Sequence, residues 1–320
     1  MTMSQLRNMT QDDLPAVNSI LSKSFSHARM QNGYTDHHIP LCKLEFLEMY
    51  RSATPEGAYV LEKQGKIIAY SFCRLWGRLG WIGPLSVLPE EQGQGYGKTI
   101  VQACVEFLKR KGARTIGLEM PARSVKNLGF YIGLNFVPQN VSVDLFREIN
   151  DKPFTSSKLQ VWHFLKSNSR EKQEFLKVVK NLNQQLDPYL NYTSEIVNTV
   201  RFQFGDGLLF MKRQSPLALV IAHTETYSSE EKRQFLKITA LQMAPDCPIN
   251  FLDEVLGYLE LWALQEKLFR LYIRIPARYF KALKYFLSKN FKILNTDLRM
   301  TLRGFPQRDS KKFVNLNKWV

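Results

Sequence analysis

The chain is short of the residues that build metal centres and cross-links. Its four cysteines, Cys42, Cys73, Cys104 and Cys247, stand far apart with no Cys-x-x-Cys pair, which excludes a zinc ribbon and a disulfide framework. The five histidines are scattered; His37 and His38 are adjacent, where neighbouring side chains diverge, and no second ligand pair at metal spacing accompanies them. No metal cofactor is expected. Long apolar runs are missing too: the longest, from Leu217 to Ala222, falls far below the roughly 18 residues that cross a bilayer and reads as a buried strand. The stretch from Met1 to Asp13 is polar, without the apolar core of a secretory signal. A cytoplasmic protein with no membrane partner is expected. Glycine (17) and proline (14) are too few for a collagen-like or low-complexity chain.

What is present describes two folded units. The 320 residues are 44% hydrophobic and 12% aromatic, and at about 150 residues per domain the length gives two. Lys+Arg number 44 against 29 Asp+Glu, a net charge of +15, of which +4 falls in residues 1–150 and +11 in 151–320. Such a field favours anionic partners. The basic residues are not interleaved with aromatics in one stripe, so nucleic acid is the weaker reading of that charge.

Periodicity places a strand at residues 4–10 and helices at 11–24 and 41–50, the first with Leu14, Val17, Ile20 and Leu21 on one face. Strands at 58–62 and 66–75 flank Lys63-Gln64-Gly65 as a hairpin, and a third strand ends at Pro89. A helix over 98–111 puts Ile100, Val101, Cys104, Val105 and Leu108 on one face and closes at Gly112. A strand at 115–120, a helix at 123–134 and a strand at 135–147 complete the first half. The second half repeats it. An offset of 155 aligns Pro121-Ala122-Arg123 with Pro276-Ala277-Arg278, Lys126 with Lys281, Leu128 with Leu283 and Asn135-Phe136 with Asn290-Phe291. The join falls near residues 150–155, where Asp, Pro and Ser cluster.

Between a strand and a helix stands Gln92-Gly93-Gln94-Gly95-Tyr96-Gly97. Such a turn aims backbone N–H groups at an anion, the helix N-terminus adds partial positive charge, and glycines let phosphate oxygens approach. A Rossmann fingerprint would need glycine at Lys98, and a P-loop would need it at Gln92. The pattern Gln92-x-x-Gly95-x-Gly97, after Leu85-x-Val87-x-Pro89 and before an amphipathic helix, resembles the acetyl-CoA pyrophosphate loop of the GNAT superfamily of N-acyltransferases. Tyr131 followed by Asn135-Phe136 resembles that family's late pattern, with Asn for the usual Gly; Ser124 and Asn127 stand where the family often has Asn and Ala.

The resemblance implies an α/β (α+β) fold of two tandem GNAT-type domains, residues 1–152 and 153–320, each a mixed, mostly antiparallel central sheet flanked by helices. It implies acetyl-CoA as cosubstrate, held by Val87, Gln92, Gly93, Gln94, Gly95, Tyr96, Gly97 and Lys98, and transfer of an acetyl group to a primary amine of a small molecule, peptide or protein by direct attack. Acyl transfer to an amine needs a neutral amine, an oxyanion donor and a proton for the leaving thiolate. Glu119 is the candidate base, with the alternative of a surface carboxylate paired with a lysine, and Tyr131 the candidate acid, with the alternative of a half-buried tyrosine packing the last helix. The resemblance puts the oxyanion donor at the backbone N–H of Val87, where nearby Pro84 suggests either a bulge or a strand end. Residues 25–38 are the expected acceptor wall.

The second copy is an internal control. At the same offset Gln92, Gly95 and Gly97 become Cys247, Asn250 and Leu252, Tyr131 becomes Phe286 and Glu119 becomes Arg274. A degenerate GNAT-like domain without a cofactor loop is expected there. The rival readings are a non-catalytic CoA-binding or scaffold protein using the basic second half as its interaction surface, a nucleic-acid binder, and a P-loop nucleotide enzyme.

Overall fold

The computed structural model describes residues 4–149, 159–213, 215–308 and 314–317; the expected join at residues 150–155 lies outside them. In the first half, β1 (Ser4–Asn8) leads to α1 (Leu14–Gln31) and α2 (Leu44–Ala53), then β2 (Tyr59–Lys63), β3 (Lys66–Trp76), β4 (Leu79–Val87), α3 (Tyr96–Arg110), β5 (Thr115–Pro121), α4 (Val125–Gly133) and β6 (Phe136–Glu148). The second half runs β7 (Gln160–His163), α5 (Ser169–Leu186), α6 (Thr193–Arg201), β8 (Gly205–Lys212), β9 (Ser215–His223), β10 (Phe235–Met243), α7 (Leu252–Gln265), β11 (Arg270–Pro276), α8 (Phe280–Ser288) and β12 (Lys292–Leu302), with a short β13 (Asn315–Asn317).

The local chemistry explains these elements. Helix α3 buries Ile100, Val101, Cys104, Val105, Phe107 and Leu108 on one face. It ends where Gly112 takes φ +74° and Ala113 N–H reaches back to Leu108 O at 3.0 Å, which satisfies carbonyls the last turn would leave open. Gln64 and Gly65, both at positive φ, make the tight turn between β2 and β3. Asn135 and its counterpart Asn290, at φ +64° and +63°, end α4 and α8 in the left-handed conformation that Asn tolerates.

The repeat is structural. α1 and α5, β5 and β11, and α4 and α8 all begin 155 residues apart, whereas β4 and β10 are 156 apart. The connection from β10 to α7 (244–251) is as long as that from β4 to α3 (88–95), but it has no glycine.

One sheet, rather than two, runs through the molecule in the order β1-β2-β3-β4-β5-β12-β6-β11-β10-β9-β8-β7, with β13 against β10. Each half gives its last long strand to the other: β12 pairs with β5, β6 pairs with β11, and β6 and β12 pair with each other at the centre. Ser142 faces Asp297, its own counterpart at 155, so a pseudo-twofold axis passes through that pair. The halves also clasp each other at the helical side. Lys43 N–H donates to Tyr227 O and Arg78 N–H to Tyr189 O, both at 2.7 Å, so the α1–α2 connection leans on the β9–β10 turn and the α5–α6 connection on the β3–β4 turn. Three apolar clusters follow: one centred on the first half, which takes in Phe204, Met300 and Leu302 of the second, one centred on the second half, which takes in Val143 and Leu145 of the first, and a third in which Trp76, Leu79 and Trp81 of the first half pack with Phe175, Val179, Leu182 and Tyr192 of the second.

Candidate functional site

Strands β4 and β5 run parallel but pair only from Leu79–Thr115 to Trp81–Gly117; beyond that they part. Two local features open them. On β4, Gly83 and Pro84 together oppose a single residue of β3, where the register shifts between Ser71 and Cys73, a bulge that bends the strand away. On β5, a Cβ at Gly117 would lie 2.2 Å from the Trp81 ring, so the last paired position accepts only glycine. Leu88 N–H donates to Ile68 O at 2.9 Å. Antiparallel alternation then turns the main-chain groups of Ser86 toward β3 and those of Leu85 and Val87 into the opening. The Val87 carbonyl is fixed by Ser24 Oγ and Gln92 Nε2, each donating at 3.1 Å.

The glycine loop borders this opening. Gly95, at φ +87°, is the N-cap of the 15-residue α3, and Gly93 has φ +80°. A Cβ at either would meet nothing within 4 Å; their need for glycine is the backbone conformation, and the space before them is open for an anion. The unpaired N–H groups of the first turn, at Tyr96, Gly97 and Lys98, face the same end. Lys126 Nζ donates to Gln92 Oε1 at 2.7 Å, and Phe130 lies 3.2 Å from the Cβ position of Gly97. Gln94 and Lys98 are exposed at the rim, Gln94 Nε2 donating to Glu91 Oε2 at 3.2 Å.

Tyr131, on α4, packs edge-on against Phe130 and Phe136, at 5.0 and 5.8 Å between centroids, at the margin of the first-half core. Burial, with a smaller effect from Cys104, raises its phenol pKa well above the ordinary value, so it stays a proton donor at neutral pH. Its hydroxyl has no hydrogen-bond partner among the described residues.

Glu119, the expected base, does not join this group but stands in an ionic network. Its side chain is 1% exposed and lies between Arg299, Nη2 to Oε1 at 2.7 Å, and Arg274, Nη1 to Oε2 at 2.8 Å, while Ser142 Oγ donates at 2.6 Å. Burial would raise its pKa, but the Arg299 and Arg274 charges and the Ser142 hydroxyl outweigh it and hold the carboxylate below its ordinary value. An acid so held has little affinity for the proton of an ammonium. Arg274 also takes Asp144, at 2.6 Å, and Asp297. These residues sit at equivalent positions, 119 with 274 on the receiving strands β5 and β11 and 144 with 299 on the exchanged strands β6 and β12, so the network is the ionic seam of the strand exchange.

The second half has the same opening and closes it. Strands β10 and β11 pair in parallel only from Phe235–Arg270 to Ile238–Ile273, and a register shift follows on β10 at the place equivalent to the β4 bulge. β13 enters there, antiparallel to β10. Met243 N–H, which matches Val87 N–H of the first half, donates to Val314 O at 3.0 Å.

Several residues of the site had no signal in the sequence. Ser24 reaches Val87 across 63 positions, and the neighbour of β5 comes from the other half. Lys126 was visible only as a repeated lysine.

The fold is thus present twice, and the parallel splay with a glycine loop at its mouth is open once. Residues 14–136, within the first half, match the acetyltransferase (GNAT) family. A Bacillus subtilis (strain 168) protein, provisionally assigned as a [ribosomal protein bS18]-alanine N-acetyltransferase, is 27% identical over 150 residues, 46% of this chain and 89% of its own. Two solved structures match almost end to end: a provisionally assigned acetyltransferase from Pyrococcus horikoshii, 16% identical with a TM-score of 0.68 over 99% of this chain and 95% of that one, and a tandem GNAT protein from the clavulanic acid biosynthesis pathway, 9% identical with a TM-score of 0.59 over 96% and 100%. At these identities the structures speak for the fold of the whole chain.

Proposed function

We propose that the first half transfers an acetyl group from acetyl-CoA to a primary amine by direct attack, and that the second half, residues 153–320, binds no cofactor. The observation that carries the reading is the opening between β4 and β5 with the Val87 N–H directed into it, beside Gly93 and Gly95 at the N-terminus of α3. The residues suit the cosubstrate: the glycine loop and the first N–H groups of α3 offer donors to a diphosphate without a Cβ in the way, and the two backbone edges offer amides to an extended pantetheine arm. Bound acetyl-CoA supplies the activated acyl carbon.

The chain supplies the rest. Val87 N–H donates to the carbonyl oxygen as charge develops on it. Tyr131 holds a proton for the departing thiolate. With Glu119 committed to two arginines, the amine sheds its proton to solvent, and the rate rises with pH toward the amine's own pKa. The Bacillus subtilis relative supports a protein α-amine as one acceptor class, and small amines are the other.

The test is a thermal-shift titration of the purified chain with acetyl-CoA, CoA and ATP-magnesium, followed by an amine and peptide panel. Ligand at 100 times its Kd adds about 2.7 kcal/mol to stability. Stabilisation by acetyl-CoA and not by ATP, with transfer to an amine, is expected. Binding without any transfer would make the chain a CoA-binding scaffold, and no stabilisation would remove the cofactor reading.

A further inference from the structure

Beyond the strand ends, where the opening meets solvent, the wall is made by both halves. Tyr34 of the α1–α2 connection lies between two guanidinium groups, Arg29 at 4.6 Å and Arg123 at 4.7 Å from its ring centre. Its hydroxyl reaches Asn295 Oδ1 of β12 at 3.4 Å, and Ala122 N–H donates to Thr296 O at 3.2 Å. The connection itself is anchored by the segment after β9: Cys42 bridges Ser228, Lys43 Nζ meets Glu225 at 3.2 Å, and Phe46 stacks on Tyr227 at 4.2 Å.

The two arginines differ in what they have left to give. Arg29 spends Nε and Nη2 on the Asp36 carbonyl, at 2.9 and 2.5 Å. Arg123 is exposed and, among the described residues, its guanidinium has neither a hydrogen bond nor an ion pair; it lies over the Tyr34 ring. It follows Pro121 at the end of β5 and precedes the helix that carries Tyr131. A guanidinium held over a ring with its N–H groups free is a fork for a carboxylate or phosphate, and two positive charges around one ring disfavour a cationic acceptor at that place.

We propose that the acceptor carries an anionic group, a carboxylate or a phosphate, close to its amine, that Arg123 receives this group, and that Asn295 from the second half is a positioning residue for it. The proposal rests on the acetyltransferase reading above. It explains why a half without a cofactor loop is retained against the site: it holds both sides of the acceptor wall.

The experiment uses the full chain with acetyl-CoA and matched acceptors, free amino acids against their amides and O-phosphoethanolamine against ethanolamine, with acetyl-CoA affinity measured alongside by calorimetry. An anionic preference in kcat/KM of about tenfold or more is expected, carried by whichever pair has the right anion. Arg123→Ala removes that preference and leaves acetyl-CoA affinity unchanged; Arg123→Lys restores part of it. Asn295→Ala raises KM for the anionic acceptor several-fold at constant kcat and leaves the neutral one alone. Equal use of charged and neutral partners, a preference that survives Arg123→Ala, or acetyl-CoA binding with no anionic acceptor used would each overturn the proposal. Failure to bind acetyl-CoA would instead overturn the reading beneath it.

Discussion

Glu119 separates two roles that a carboxylate at one sequence position can have. As part of a buried ionic seam, its loss takes a carboxylate from Arg299 and leaves Arg274 with Asp144 and Asp297, and Glu119→Ala should cost about 3–5 kcal/mol in urea unfolding. Its folded pKa lies below the ordinary 4.5. The stability it contributes is therefore complete above about pH 4.5 and is lost as pH falls through the lower folded value. Glu119→Gln should flatten that acid limb of stability while leaving the alkaline rise of the acetylation rate in place; a vanished alkaline rise would return Glu119 to the role of base. Tyr131→Phe keeps the edge-on ring contacts and loses the proton. It should lower kcat by about 100-fold or more with acetyl-CoA affinity unchanged, and an unchanged kcat would make Tyr131 a packing residue. The ionic seam was half legible. Glu119 and Arg274 are repeat equivalents of opposite charge, as are Asp144 and Arg299, the pattern expected of positions that meet across a twofold axis. Periodicity carries no information on partners that distant, so the pairing itself was hidden.

Among the elements, the glycine loop and α3 were legible because their determinants are local: a left-handed N-cap, a one-sided apolar face, a terminating glycine. Gly95→Val puts a β-branched residue at φ +87°, at a cost of about 1–2 kcal/mol, and removes the approach to the α3 N–H groups. Acetyl-CoA should no longer stabilise this variant although it remains folded by circular dichroism, and a normal thermal shift with acetyl-CoA would remove the loop from the site. Pro84 left a bulge and a strand end on β4 equally open, and the register against β3 decides for the bulge. What was not legible is the neighbour of β5. β6 follows α4 immediately in the chain and has the alternation to lie beside β5, as β12 has to lie beside β11. Exchange swaps two strands of similar pattern, so the hydrophobic signal is the same before and after.

At the scale of the molecule, the exchange makes the two sequence repeats one cooperative unit. Each half's sheet is completed by the other, and Trp76 and Trp81 lie in an apolar cluster with the helices of the second half. A single unfolding transition is expected, with tryptophan fluorescence and far-ultraviolet circular dichroism superimposing; two separated transitions would mean that the halves hold together only weakly. The capture of the second opening by β13 has a further consequence. A segment tethered a dozen residues from β12 faces its groove at an effective concentration of order millimolar or above, and it arrives with Gln242 and Asn315 already hydrogen-bonded. A free cofactor competing there meets a rival that never diffuses away. Saturation should therefore stop at one acetyl-CoA per chain, however much is added.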